Sequence, residues 1–373
     1  MSGPALLLLG FAVTRSAGAG SVLLAGLTIA AAAGGPVFGA VLDRSRRPER
    51  ILAGGLAAYA LGLGAIQVSV GKLPLPLVAC LAALTGLSGP AVAGGWTSQL
   101  PRVVSRDALA RGSALDALTF DAASLAGPAL AALTAAWAGA RPAVAVSAVL
   151  VALAVPAACC LASAPASRAS ASRAAEQPLR RQLVAGLAAI IARRTLRRAT
   201  VTSIVSCMGI GMLLVCCPML GQQRLGAASR GALLISAAAV VSLIANSVLA
   251  RRPPRRPDTL VLASTLVLGL SIAAAAVAPG WLTMLAVGLS GAGQGPQLTG
   301  LLAVRHRESP AAIRGQVFTT AASLKIGGLA AGTVLAGLLA TRSVTMCLLA
   351  AAGIQLAAAA AFLLLRADSA PGP

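Results

Sequence analysis

The sequence predicts an all-α, polytopic membrane protein: twelve membrane-spanning helices in two six-helix bundles, the first helix truncated. Three observations predict it. The 373-residue chain is 58% hydrophobic and 10% charged, with a mean hydropathy of +0.87, a balance that water-soluble domains do not carry. Its apolar residues fall into runs of about twenty, the length needed to cross roughly 30 Å of hydrocarbon. Its arginines collect between those runs, and dense clusters alternate with sparse ones, as expected when the dense ones mark the cytoplasmic side.

Each span follows in order. Residues 3–14 give a short apolar stretch before Arg15, about 18 Å of helix. Span 1 is therefore expected to be the outer part of a helix whose start lies upstream. No basic leader and no small-residue cleavage site precede it, so a cleaved signal peptide is not expected. Spans 2 to 6 are predicted near 20–42, 51–71, 76–99, 113–137 and 143–163. The stretch 164–177, rich in Ala, Ser and Arg, reads as a linker. Pro178 to Arg198 sets Leu179, Leu183, Leu187, Ile190 and Ile191 against arginines, an amphipathic segment suited to lie along headgroups. Spans 7 to 12 are predicted near 199–221, 229–250, 258–278, 281–303, 316–340 and 343–365. The expected organisation is thus an N-terminal half (1–163), a cytoplasmic linker (164–198) and a C-terminal half (199–373).

Cation placement agrees with both termini lying inside. Of the 30 Lys and Arg residues, 23 fall in inner segments, 6 in outer turns, and Lys325 within span 11. The net charge of +21 does not indicate nucleic acid, because the arginines sit between apolar spans and almost no aromatics accompany them for stacking. Seven cysteines lie in or beside apolar runs without metal-ligand spacing, and are expected to pack.

An internal repeat supports two halves. Gly-Leu-Ser-Gly begins at Gly86 and again at Gly288. Arg106-Asp107 is echoed by Arg307-Glu308, Arg111-Gly112 by Arg314-Gly315, and the Ala-Ala-Ser-Leu at Ala122 by the one at Ala321. Four matches in order, at an offset of about 200 residues, indicate duplication of a helical unit.

The stretch Gly39 to Arg47 closes span 2 with one acid and then arginines. It resembles motif A of the major facilitator superfamily, Gly-x-x-x-Asp-Arg-x-x-Arg/Lys, at Gly39, Asp43, Arg44 and Arg47, with Arg46 where the family usually has a second glycine. The resemblance covers essentially the whole chain. The segment from Leu100 to Arg111, Gly127-Pro128 and the Arg314-Gly-Gln-Val-Phe run are similar to bacterial facilitator exporters. The family implies two six-helix bundles with the substrate site between them near the bilayer midplane. It also implies that Asp43 faces the N-terminus of span 11, holding the halves together when the outside is open. An acid there gains from the helix dipole, Arg314 is a natural partner, and Gly39 would let the neighbouring helix come close. Arg44 and Arg47 belong to the same motif or serve as headgroup anchors. Two departures stand out: span 4 lacks the family's motif B arginine, and motif C on span 5 survives only as Gly127-Pro128.

Charge within the bilayer is costly and usually functional. Asp121, about 12 Å into span 5, and Lys325, about 13.5 Å into span 11, lie at similar depth on repeat-related helices. They are candidates for binding a charged substrate, exchanging a proton, or neutralising each other. Asp116, shallower, is expected to cap the inner end. Gln294 and Gln297, among Gly293, Gly295 and Pro296, interrupt span 10 where a lining bend would be useful, or serve helix packing. Asn246 and Gln67 read as interhelical hydrogen bonders, Trp137 and Trp281 as interfacial anchors, and His306 as an inner-loop residue.

No nucleophile elbow, P-loop or His/acid cluster occurs, so neither an enzyme nor an ATP-driven pump is expected, and no cofactor or metal. The expected function is secondary active transport by alternating access, with efflux of a small, fairly hydrophobic molecule from a bacterial cell. Uptake or facilitated diffusion is the alternative within transport, and a non-transporting scaffold or sensor the alternative outside it. The expected partners are that small molecule, the lipid bilayer and protons. The chain is expected to be a monomer in the inner (plasma) membrane.

Overall fold

The structure, a computed structural model, describes residues 1–14, 17–105, 107–161 and 179–367. Among these there is no β-strand; one isolated bridge, Val70 to Leu73, closes a tight turn. In hydrocarbon no water satisfies an open backbone, so helices that bond their own N–H and C=O groups are the economical answer for these apolar runs.

The helices are α1 (Ser2–Thr14), α2 (Ala17–Arg44), α3 (Pro48–Ser69), α4 (Leu75–Leu87), α5 (Gly94–Thr97), α6 (Leu109–Ala138), α7 (Ala140–Ala152) and α8 (Ala154–Cys159). After the linker come α9 (Leu179–Ala192), α10 (Arg194–Leu225), α11 (Gly231–Arg251), α12 (Pro257–Val277), α13 (Leu282–Glu308), α14 (Arg314–Ala340) and α15 (Val344–Ala367). Ten segments are long and apolar enough to cross a bilayer, with α4–α5 and α7–α8 each counting as one. The short α1 and the more polar α13 bring the total among the described residues to twelve.

Several boundaries differ from the sequence reading, each for a local reason. Span 4 is broken: α4 stops at Leu87, a 3-10 turn covers Gly89–Ala91, and α5 is one turn long. Pro90 has no N–H to continue the ladder, and the glycines flanking it do not favour helix. Span 5 starts at Leu109, so Asp116 lies two turns inside α6 and is not its cap. Span 10 continues to Glu308, which places His306 in a helix, buried, and not in a loop. The predicted linker stretch 164–177 lies outside the described residues. Beyond it α9 carries Val184, Leu187 and Ile191 exposed while Ile190 is buried. Cys207, Cys216, Cys217 and Cys347 are buried thiols; Cys80, Cys159 and Cys160 are exposed.

The described residues form two compact units. The first comprises Met1–Ser105, Ala126–Ala189 and Ser309–Ser323; the second comprises Arg106–Leu125, Ile190–Glu308 and Leu324–Pro373. In the first, α1 packs on α2, α2 on α4, and α3 on α7, around Leu6, Leu9, Leu23, Leu63, Ile66 and Val144. In the second, α13 packs on α11 and α12 while α15 packs on α10 and α12, around Met212, Leu220, Leu268, Ile272 and Leu348.

Two arginines from predicted outer turns satisfy helix ends. Arg141 donates to the Gln67 and Val70 carbonyls at the end of α3, at 2.6 and 2.9 Å. Arg224 donates to Ala275 (3.0 Å), Ala276 (2.6 Å) and Ala278 at the end of α12. The last carbonyls of a helix lack intrahelical partners, and a cation there also complements the dipole. Arg224→Ala is expected to cost about 1–3 kcal/mol, since charged hydrogen bonds to half-buried carbonyls are lost. Thermal unfolding in detergent measures this, and an unchanged midpoint would remove the capping role.

Candidate gating and intramembrane polar sites

The first site lies in unit 1, where the end of α2 meets the start of α14. Asp43 Oδ1 accepts from the Gly315 backbone N–H and Oδ2 from the Gln316 N–H, both at 2.8 Å. The first N–H groups of a helix have no partner of their own, so a carboxylate that spans two of them satisfies both and sits at the positive end of the dipole. Such charge-assisted bonds are about twice as strong as neutral ones.

Close approach makes the grip feasible. A Cβ on Gly39 would lie 2.3 Å from the Thr319 hydroxyl and 2.6 Å from Gln316 Cα; one on Gly35 would lie 2.0 Å from the Ser323 hydroxyl and 2.7 Å from the Thr319 carbonyl. Gly35, Gly39 and Asp43 are spaced four apart and share one face of α2. They meet Ser323, Thr319 and the Gly315–Gln316 pair, which are likewise spaced along α14. Gly315 is part of the same fit, since a Cβ there would meet Asp43 Oδ1 at 2.6 Å.

Arg314 is close enough to act on the Asp43 carboxylate as a charge, and so is Arg102, while backbone N–H groups make the direct contact. Arg102 follows α5 in a 3-10 turn; burial lowers its pKa from the ordinary guanidinium value, opposed by the nearby Glu49 and Asp43 carboxylates. Arg44 is half-buried at the end of α2 and Arg47 is exposed beyond it. The sequence reading missed Gly35 and Arg102. The four-residue spacing of Gly35 from Gly39 was a visible signal; Arg102 carried none, because its closeness to Asp43 is a tertiary contact between distant stretches of chain.

The second site lies in unit 2. Asn246 on α11 donates to Asp121 Oδ2 on α6 at 2.6 Å, and its own carbonyl accepts from the Thr299 hydroxyl on α13 at 2.8 Å. Asn246 and Thr299 are fully buried, and Asp121 is half-buried. Ser242, one turn before Asn246, lies beside the same carboxyl. Lys325 is close enough to be felt electrostatically, but no ion pair joins it to Asp121 among the described residues. The carboxyl therefore has a neutral amide as its closest donor and one opposite charge at longer range.

Gln297 on α13 is buried and donates to Ser206 (3.0 Å) and Thr265 (2.7 Å), while Gln355 donates to the Ser206 carbonyl (2.8 Å). This network ties α10, α12, α13 and α15 together. Gln294, three residues earlier, is half-buried and donates to Ser290 at 3.1 Å. Ser206 and Gln355 were not singled out from sequence, because isolated polar residues in apolar helices give no cue to their partners.

The helical architecture has relatives. The human organic anion transporter MFSD10 (TETRAN) superposes with a TM-score of 0.73 at 18% identity, covering 96% of this chain and 97% of that one. The proton:xylose symporter XylE superposes at 0.71 with 14% identity, over 96% and 93%. The Escherichia coli fucose:proton symporter FucP gives 0.64 at 16% identity, over 99% and 98%. These likenesses establish the fold. An uncharacterized MFS-type transporter, y4rN, of Sinorhizobium fredii (strain NBRC 101917 / NGR234) is 30% identical over 305 residues, 79% of this chain and 73% of the relative. Residues 1–278 also match the Major Facilitator Superfamily profile. With sequence, profile and fold in agreement, the chain belongs to the major facilitator superfamily of membrane transporters.

Proposed function

We propose that this protein is a secondary active transporter working by alternating access, exporting a small, fairly hydrophobic molecule across a bacterial inner membrane. The observation that carries the reading is the paired hold of Asp43 on the Gly315 and Gln316 amides. α2 belongs to the N-terminal half (1–163) and α14 to the C-terminal half (199–373) of the repeat. A contact made of two hydrogen bonds and glycine packing forms when those helix ends meet and opens when they part. Gly39, Asp43, Arg44, Arg47 and Arg314 are assigned to this gate.

An apolar cargo is supported by where the polar side chains go. Gln297 is occupied by other helices through both its amide nitrogen and its oxygen, which leaves it little capacity for a ligand. Gln294 and the Asp121–Lys325 pair remain the candidates for cargo or proton contact. Proton coupling draws support from the intramembrane Asp121 carboxyl, and two of the fold relatives are named as proton symporters. Export rests on the resemblance of Gly127-Pro128 and of the Arg314 to Phe318 run to bacterial exporters.

The test is a screen of apolar cations, anions and neutral dyes in cells making the protein, with and without a protonophore. Proton-driven export predicts that collapsing the gradient raises accumulation of the cargo; lower accumulation would show uptake instead. Purified protein in vesicles that moves no candidate, under any gradient, would sink the transport reading.

A further inference from the structure

A cavity of about 390 Å³ in unit 2 is lined by Thr195, Arg198, Arg255, Arg256, Asp258 and Arg307. Three helix ends converge there: the starts of α10 and α12 and the end of α13. We propose that this cavity is a binding site for a phosphate-bearing anion, supplied by an anionic phospholipid headgroup or by a free phosphate compound.

The charge count comes first. Four arginines line the cavity, and the carboxylates available to them are Asp258, held by both Arg198 and Arg307, and Glu308, held by Arg307 at 2.7 Å. Two positive charges are left without a counterpart. The side chains of Arg255 and Arg256 are exposed at the rim and make no hydrogen bond or ion pair with another described residue.

Arg198 supplies the second observation. Its side chain is nine-tenths buried, its guanidinium lies 4.3 Å above the Phe362 ring, and one arm is taken by Asp258. Its Nε remains buried without a partner. A buried guanidinium N–H left unsatisfied is costly unless an acceptor arrives, and an oxygen-rich anion in the cavity provides acceptors.

The geometry suits phosphate. Arginine forks match its oxygens in pairs, and α12, a 21-residue helix with Pro257 at its first turn, presents its positive end at the same place. Basic pockets between transmembrane helices at the arginine-rich face are suited to anionic headgroups, each nearby arginine strengthening the attraction by about 5-fold.

The experiment uses the full chain purified into nanodiscs of phosphatidylcholine alone or with phosphatidylglycerol, and in detergent with inorganic phosphate. Binding is read by native mass spectrometry and by thermal midpoint. Arg255→Gln/Arg256→Gln removes the unpaired rim charges without touching the core, and Arg46→Gln/Arg50→Gln removes two exposed arginines elsewhere as a charge-matched control.

The expected result is selective retention of phosphatidylglycerol over phosphatidylcholine, weakened about 30-fold in the first variant and little changed in the control. If millimolar phosphate stabilises wild type but not the first variant, and phosphatidylglycerol adds nothing, the site stands with a soluble source. Equal binding of both lipids and no response to phosphate overturns the proposal. Equal losses in the two variants, or no loss in the first, do the same.

Discussion

Asparagine in place of Asp43 is expected to leave the protein inserted and folded, to accelerate exchange of the Gly315 and Gln316 amides, and to impair cycling. The carboxylate accepts one bond on each oxygen. An amide keeps only one acceptor and turns an N–H₂ group toward the second donor. Losing one charge-assisted bond and the charge–dipole attraction together costs about 2–4 kcal/mol. That corresponds to roughly 30- to 1,000-fold faster exchange if opening limits the rate. Hydrogen exchange needs no known substrate, so it tests the grip separately from transport. Gly39→Leu should give the same exchange change by a steric route, because any Cβ there already overlaps Thr319. Unchanged protection at both amides, with full transport, would remove Asp43 as a gate.

This contact was legible beforehand through the family motif: the resemblance at Gly39, Asp43, Arg44 and Arg47 implied that Asp43 faces the start of span 11, although the bonds join positions 272 and 273 apart. One acid at the end of an apolar run, glycine a turn earlier and arginines after it define a face and a boundary from spacing alone. The arginine clusters likewise mark where the apolar spans end, since a charge inside hydrocarbon is costly. Fine boundaries were less legible. Pro90 ends α4 early, α6 begins before Ser113, and α13 runs on through His306. α4 stops where hydropathy does not change, whereas α6 and α13 carry the helix through charged residues where hydropathy falls. The partners of Gln297 and Asp121 were hidden for another reason: a hydrogen bond across 32 or 125 positions leaves no trace in either local stretch.

The second large effect is expected at Asp121, where two substitutions separate structure from charge. Asp121→Leu leaves the buried Asn246 amide without its acceptor and should lower stability by about 1–3 kcal/mol, read as a lower thermal midpoint. Asp121→Asn keeps an oxygen for Asn246 and should restore most of that stability. If the carboxyl also carries a proton during transport, the Asn variant stays stable but loses gradient-driven movement by 10-fold or more, because an amide does not titrate. Exchange of cargo without net proton flux would persist. Should Asp121→Asn transport at the wild-type rate, the residue is a packing partner only. Lys325→Ala, tested in parallel, shows whether the distant positive charge matters to the same step.

A two-point hold fails abruptly. Both Asp43 oxygens face adjacent amides of one helical turn, so a displacement of about 1 Å lengthens both bonds beyond useful range at once. Gly35 and Gly39 leave no side chain to slide along during that displacement. The contact should therefore behave as a detent with a threshold, not as a spring. Lingering dwell times and sudden releases, visible to single-molecule fluorescence across α2 and α14, are the kinetic signature to look for.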